Sequence, residues 1–238
     1  MSECMTVRII ARIRSDFGTK FGIPRQSGLV DSLTARVVFE PEYRNPDAFR
    51  GLEGFSHLWL IWQFSQCMGR DWSPTVRPPK LGGNRRMGVF ATRSPFRPNA
   101  IGLSSVRLER METNPALGPV LHVCGADLMD GTPILDIKPY LPYTDSPPDA
   151  RGGFAPAPLA ALEVRADAGV LAPVPPERRQ ALLDTLAQDP RPGYQHEPGR
   201  VYGLLFAGLD VRFTVEAGVL TVREICPAGS SVAGETDR

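Results

Sequence analysis

Four clusters in the sequence gather residues able to hold an anion or orient a proton: Pro24-Arg25-Gln26, the stretch from Arg77 to Gly102, Asp127 to Pro133, and Asp136 to Pro142. The second is the densest. From Arg70 to Arg97 there are seven Lys/Arg (Arg70, Arg77, Lys80, Arg85, Arg86, Arg93 and Arg97) against one acid, Asp71, in a chain whose formal net charge is +1. Guanidinium groups present a planar fork of donors that matches phosphate and carboxylate, and their flat faces stack on bases. Pro95 and Pro98 fix the backbone around Arg93 and Arg97. These features predict a rigid, anion-facing loop surface beside the apolar run Met87-Gly88-Val89-Phe90-Ala91. The other clusters are ambiguous by themselves. Asp130-Gly131 is a common turn pair. Lys138 stands two residues from Asp136, a simple ion-pair partner, and Tyr140 has an ordinary role available in capping a core.

Several other chemistries are missing. No GxGxxG follows a strand, and neither a Walker A loop nor a GxSxG elbow is present. Cys4, Cys67, Cys124 and Cys226 lie far apart and complete no zinc spacing with the three histidines, so no metal is expected. The thiols read as reduced, as in a cytoplasmic protein. No apolar run nears the roughly 18 residues of a membrane span, and the first ten residues lack the apolar stretch of a secretion signal. The basic charge is local: residues 1–150 hold 18 Lys/Arg and 15 Asp/Glu, while residues 151–238 hold 9 and 11. An anionic partner is therefore expected at the N-terminal part. Composition and spacing reach only a β-rich domain with an arginine-lined surface. That surface suits an enzyme acting on RNA, a non-catalytic RNA-binding module, or an enzyme holding a small carboxylate or phosphate.

Short β-branched and aromatic runs between turn residues must carry these clusters. Strands are predicted at Thr6 to Ile13, Ala35 to Phe39, His57 to Phe64, Val89 to Thr92, Ile101 to Leu108, Val120 to Gly125 and Ile134 to Ile137. The run His57 to Phe64 has few polar interruptions and predicts a strand buried on both faces, with Trp59, Trp62 and Phe64 in the core. Short strands, long loops and no helix over residues 1–143 predict an antiparallel barrel or sandwich. Residues 146–176 are rich in Pro and Ala and read as a linker, with a short strand at Leu162–Arg165. Pro176 opens a helix over Glu177 to Gln188, which Asp189-Pro190-Arg191-Pro192 ends. A three-strand meander follows at Val201–Phe206, Val211–Val215 and Leu220–Ile225. The helix and meander make a small α+β C-terminal domain over 177–227, and residues 228–238 are expected to be a disordered tail.

Together the motifs resemble one family. Pro24-Arg25-Gln26, Arg50-Gly51-Leu52-Glu53-Gly54-Phe55-Ser56-His57-Leu58-Trp59, Val76-Arg77-Pro78-Pro79, Met87 to Ser94, Arg97-Pro98-Asn99 and Asp130-Gly131-Thr132-Pro133 with Asp136 to Tyr140 resemble the TrmO (TsaA-like) tRNA methyltransferases over about residues 5–145. The C-terminal helix and meander resemble the second domain of the bacterial members. The resemblance implies a mainly β fold, with a single-sheet antiparallel β-barrel over residues 1–145 that binds S-adenosylmethionine without a Rossmann fold, in a homodimer. It implies N6-methylation of threonylcarbamoyladenosine at position 37 of the anticodon loop, typically of threonine tRNA. The implied cofactor contacts are Pro24, Arg25, Gln26, Ser65, Gln66, Arg93, Leu103, Asp130, Gly131, Thr132 and Pro133. Arg77, Arg85, Arg86 and Arg97 would meet the threonyl carboxylate and the anticodon-loop phosphates. Asn99, Asp136 or Tyr140 would orient the N6 amine as its proton leaves. Two positions depart from the pattern: Ser65-Gln66 stands where relatives often show His-Gln, and Asn99-Ala100 where they show Asn-Pro.

Overall fold

The computed structural model describes residues 4–78, 81, 84–155, 157, 160–191, 197 and 199–229. Pro79, Lys80, Pro192, His196 and the tail from residue 230 onward lie outside the described residues. Eight strands precede residue 140: β1 (Ala11–Arg14), β2 (Thr34–Phe39), β3 (His57–Gln63), β4 (Thr75–Val76), β5 (Met87–Gly88), β6 (Ile101–Asn114), β7 (Gly118–Cys124) and β8 (Pro133–Pro139). The chain is mainly β, as the alternating runs predict. Six strands pair antiparallel in the order β1-β2-β7-β6-β3-β8, and β8 returns to β1 through Ala11↔Ile134 and Arg12↔Pro133. The ring is thus closed by a short seam.

Period-two alternation turns Ile13, Val37, Leu58, Leu60, Leu121 and Val123 into the ring's core. β3 alternates as well. Leu58, Leu60 and Trp62 point inward, while His57, Trp59 and Ile61 are only half-buried, so the strand is not buried on both faces. Trp59 does not reach the core. It leans on Tyr140 at 5.4 Å, and its indole N–H donates to Asp145 Oδ2 at 2.9 Å, which gives an amphipathic ring its polar partner. Trp62 is a core residue because Gly102 lies across from it; a Cβ there would stand 2.3 Å from the indole ring. The strand predicted at Val89 to Thr92 is a 3-10 turn over Val89–Ala91, and the paired residues are Met87 and Gly88. The first strand is shorter than predicted, beginning at Ala11.

In an antiparallel ring, connections alternate between the two ends. Residues 15–33, 64–100 and 125–132 all emerge at one end. They carry Pro24–Gln26, Ser65, Gln66, Arg93, Asn99 and Asp130–Thr132, so topology alone gathers residues that are about a hundred positions apart.

After α1 (Pro142–Asp145) come β9 (Glu163–Arg165), α2 (Pro176–Ala187), β10 (Tyr202–Phe206), β11 (Leu209–Glu216) and β12 (Val219–Pro227). The meander has a fourth strand, since β9 pairs parallel to β12. Its two hairpins turn on Ala207-Gly208 and Ala217-Gly218, all four at positive φ, the backbone of a type I′ turn. Leu182 and Leu186 of α2 pack on this sheet, and so does Val174, from the stretch that reads as linker. The same core takes in Phe17, Val30 and Leu33 from the loop between β1 and β2. The C-terminal unit is therefore built partly from N-terminal chain, because its own helix and four short strands need apolar cover.

Gly22 tests that arrangement. It has φ +84°, and a Cβ would stand 2.0 Å from Leu204 Cδ1, whereas Gly28, at φ +75°, has open space around it. Gly22→Ala should lower the unfolding free energy by about 2–4 kcal/mol through left-handed strain plus overpacking. Gly28→Ala should lose only the strain, about 1–2 kcal/mol. Equal losses in urea denaturation would mean that the loop does not pack on β10.

Candidate active site

The loop over residues 15–33 runs along one edge of the ring. β6 pairs with β7 only from Arg107 onward, so its first residues offer an unpaired edge. Ser27 covers part of that edge, its Oγ accepting from the Ser105 amide at 3.1 Å, and the Gly28 amide donates to the Gly125 carbonyl at 2.9 Å. Gly125 sits at φ +75° with the Gly28 backbone 3.3 Å from where a Cβ would be. Leu103 lies two residues before Ser105 on the same outward face and is 48% exposed.

Beside this edge Arg93 donates to Gln26 Oε1, and Gln26 Nε2 donates to the Arg25 carbonyl. Arg25 reaches the other way, donating to the Arg191 carbonyl at 3.4 Å. Arg191 in turn holds Asp189 in a two-pronged pair, with Nε to Oδ1 and Nη2 to Oδ2 both at 2.8 Å. Burial works to raise the Asp189 carboxyl, but the Arg191 hydrogen bonds and charge, with Arg25 behind them, bring it below its ordinary value. The segment that stops the helix thus also braces Arg25.

A residue outside the implied contacts stands behind this cluster. Asp127 is partly buried, accepts from Ser104 Oγ at 2.5 Å, and has Arg93 and the Ser27 backbone nearby. Ser104 also accepts from the Trp62 indole at 2.9 Å. Burial raises the Asp127 carboxyl above its ordinary value, against the opposing pull of Ser104 and Arg93. The sequence places Asp127 in the cluster up to Pro133 but gives it no role, because the Asp130-Gly131 turn three residues on is more conspicuous. The usable signal is an acid three residues after the apolar strand Val120 to Cys124.

The remaining implied contacts fall into two groups. Ser65 opens a 3-10 turn over Ser65–Cys67, with the Phe64 amide on the Ala100 carbonyl at 2.8 Å. Gln66 Nε2 donates to Met129 Sδ at 3.2 Å, next to the Asp130–Pro133 turn. That turn is occupied by the seam. Asp130 Oδ1 accepts from the Ser15 amide at 3.1 Å and Oδ2 faces Arg14 at 3.5 Å, Gly131 bonds Ile13, and Thr132 is buried on the Met129 carbonyl. Asp130 lines a groove of about 300 Å³ with Arg14, Asp16, Arg36 and Arg178, away from Gln26 and Arg93.

Asn99 precedes β6 at the loop-bearing end. Asp136 lies on the outward face, two strands from Leu103 through Ile61, about 10 Å at the usual strand spacing. It pairs with Lys138 at 3.1 Å, the ion pair their spacing allows. Tyr140 stands at the other end of β3, its amide on the His57 carbonyl at 3.0 Å. A groove of about 370 Å³, lined among others by Ser27, Ser105, Arg107, His57 and Tyr140, joins the two regions.

Residues 12–146 match the family model described as tRNA-methyltransferase O N-terminal domain, and residues 162–228 match the TrmO C-terminal domain. The chain belongs to the TrmO family. It is similar to the tRNA (adenine(37)-N6)-methyltransferase of Eikenella corrodens, 51% identical over 173 residues, covering 72% of this chain and 97% of that protein. A Pseudomonas aeruginosa protein provisionally named an S-adenosylmethionine-dependent methyltransferase is 46% identical over 216 residues, covering 87% of this chain and 91% of the relative. The crystal structure of TrmO from Pseudomonas aeruginosa superposes with a TM-score of 0.77 at 35% identity, covering 94% of this chain and 99% of that one. Both family segments thus meet at the Arg25–Arg191 contact, which ties the TrmO N-terminal loop to the TrmO C-terminal unit.

The raised Asp127 carboxyl gives a pH signature. The folded chain keeps that proton where the unfolded chain has released it. The group's contribution is full at acid pH and is lost as pH rises above the ordinary carboxylate value of about 4. Asp127→Asn, which keeps an acceptor for Ser104, should therefore gain stability relative to the unsubstituted chain as pH rises above about 4. Parallel stability curves in urea denaturation would show that Asp127 is not desolvated.

Proposed function

We propose that this chain is an S-adenosylmethionine-dependent methyltransferase that methylates N6 of adenosine 37 in tRNA. The observation that carries the reading is the convergence of Gln26, Arg93, Asp127 and the free edge at Leu103 at the loop-bearing end of the strand ring, in a chain whose full-length relatives carry that activity in their names. The side chains fit the donor molecule. Arg93 and Gln26 suit its carboxylate, and Asp127, whose ionised form an approaching cation favours, suits its ammonium. Leu103 offers an apolar side chain and strand-edge backbone to its adenine.

S-adenosylmethionine, when bound, supplies a sulfonium-activated methyl group. The chain's own work is then positioning. The acceptor N6 is a weak nucleophile, conjugated to its ring, so alignment supplies much of the rate. Asn99 shares the loop of Arg93 and is suited to orient the amine; Asp136 follows along the outward face. Tyr140, some six strand residues away from Ser65, fits a substrate-holding role better than proton handling. Arg77, Arg85, Arg86 and Arg97 serve the anticodon-loop phosphates and a carboxylate on the base. The acceptor in this reading is threonylcarbamoyladenosine of threonine tRNA, the closed ring is the β-barrel of the family, and the working unit is a homodimer in the cytoplasm. The turn at Asp130–Pro133 adds backbone contacts beside Gln66.

The test is methylation of bulk tRNA from cells with and without threonylcarbamoylation, followed by nucleoside mass spectrometry. Gain of one methyl group on threonylcarbamoyladenosine is expected only in the modified pool. No gain in either pool, with tRNA bound, would leave a non-catalytic RNA-binding protein. Arg93→Ala should weaken S-adenosylmethionine binding between about tenfold and a hundredfold by calorimetry, the range for a charged hydrogen bond. Unchanged affinity would remove Arg93 from the donor site.

A further inference from the structure

The paired residues β4 and β5 carry an arrangement that the donor site does not use. The register sets Thr75 opposite Gly88 and Val76 opposite Met87. One step further along that register come Arg77 and Arg86, two like charges across a strand pair. Such a pairing is unfavourable unless an anion lies between or above them. Arg86 donates to Thr75 Oγ1 at 2.9 Å, while the Arg77 and Arg85 guanidinium groups have no hydrogen bond or ion pair given among the described residues. At the other end of the pair, the Val89 amide bonds the Pro74 carbonyl at 3.0 Å. Just beyond it, Trp72 and Phe90 face each other with ring centroids 6.5 Å apart and planes 25° from parallel.

Both rings are in water, Trp72 50% and Phe90 75% exposed, although Val89 beside Phe90 is buried. Two large aromatics held near-parallel in solvent, near exposed guanidinium groups, are poorly explained by folding. Burial of such rings is strongly favourable, and much of it is forgone here. Near-parallel exposed rings present flat apolar faces on which a planar base can stack.

We infer that Trp72 and Phe90 form a stacking platform for an unpaired base of the RNA loop, with Arg77 and Arg86 taking the phosphates on either side of that base. The inference rests on the tRNA reading above and adds the residues that select a single-stranded loop over a duplex. Stacked bases inside a helix present no free face, whereas an anticodon loop does. The charge complementarity favours RNA over a second copy of this chain, whose matching patch would carry the same sign.

The experiment compares the full chain with Trp72→Ala, Phe90→Ala, Trp72→Phe and Arg77→Ala, using an anticodon stem-loop RNA with 2-aminopurine placed in turn at each loop position. The two alanine variants at the aromatic positions should weaken RNA binding between about fivefold and a hundredfold, the range for loss of one base–aromatic stack. They should also abolish the 2-aminopurine quenching at one position, with S-adenosylmethionine affinity within about twofold of the unsubstituted chain. Trp72→Phe should restore most of the binding. Arg77→Ala should weaken binding and flatten its salt dependence, while the aromatic variants leave the salt slope unchanged. RNA binding equal to the unsubstituted chain in both alanine variants would overturn the platform. So would a shift in sedimentation on Trp72→Ala at unchanged RNA affinity, which would make the rings a contact between copies. Failure of the unsubstituted chain to bind the stem-loop would instead overturn the tRNA reading itself, and that outcome is visible before any variant is compared.

Discussion

The three-residue segment Ser15-Asp16-Phe17 ties the ring, its closing seam and the C-terminal unit into one body. Ser15 donates its amide to Asp130 and its hydroxyl to the Leu128 carbonyl, while the Phe17 carbonyl accepts from the Asp130 amide at 2.8 Å. On its other side, the Asp16 carbonyl accepts from Ala207 at 2.8 Å, its carboxylate pairs with Arg178 of α2, and the Phe17 ring meets Phe206 edge-on at 5.7 Å. Burial raises the Asp16 carboxyl and Arg178 opposes that rise. A mostly buried carboxylate left without its arginine would be costly. Phe17 is fully buried, and removal of such a ring commonly costs about 3–5 kcal/mol. Everything between residues 18 and 33, including Pro24–Gln26, hangs from this anchor and from Val30 and Leu33.

The C-terminal unit therefore positions the loop over residues 15–33. It supplies the surface that Phe17, Val30 and Leu33 need, and through Asp189 and Arg191 it braces Arg25. A loop of nineteen residues with no strand or helix of its own would otherwise be free to move. Here its shape is fixed from outside. Charge is divided in a matching way. The partly buried acid Asp127 has Arg93 nearby, and the exposed Arg77, Arg85 and Arg86 flank β4 and β5. One side of the loop cluster is suited to a small cationic donor and the other to a polyanion.

Several parts of this were legible in the residues. β-Branched and aromatic runs between turn residues marked six of the strands, with β1 starting five residues later and β6 running six residues further than expected, and Pro176 marked the start of α2. The arginine stretch was legible as surface, since no core needs guanidinium groups between prolines, and Arg77, Arg85 and Arg86 are exposed. Other parts were not. Beyond the short strand expected at Leu162–Arg165, which is β9 of the second sheet, composition made the residues up to 176 look like linker, yet Val174 belongs to that sheet's core. Trp59 and Trp62 look alike in the run His57 to Phe64, and only the pleat sends one outward to Asp145 and the other inward to Ser104.

The sequence by itself determined which segments extend, where they turn, and which residue types are available, because those depend on neighbours within a few positions. The tertiary structure decided which loops share an end of the ring, which of two nearby aspartates is desolvated beside Arg93, and that an N-terminal loop completes a C-terminal core. Those outcomes come from pairing order and from apolar area that must be covered, both of which join residues far apart in the chain. Asp127 and Asp130 are both acids in one turn-rich segment, and only the closing of β8 onto β1 assigns one to the seam and leaves the other facing Ser104 and Arg93.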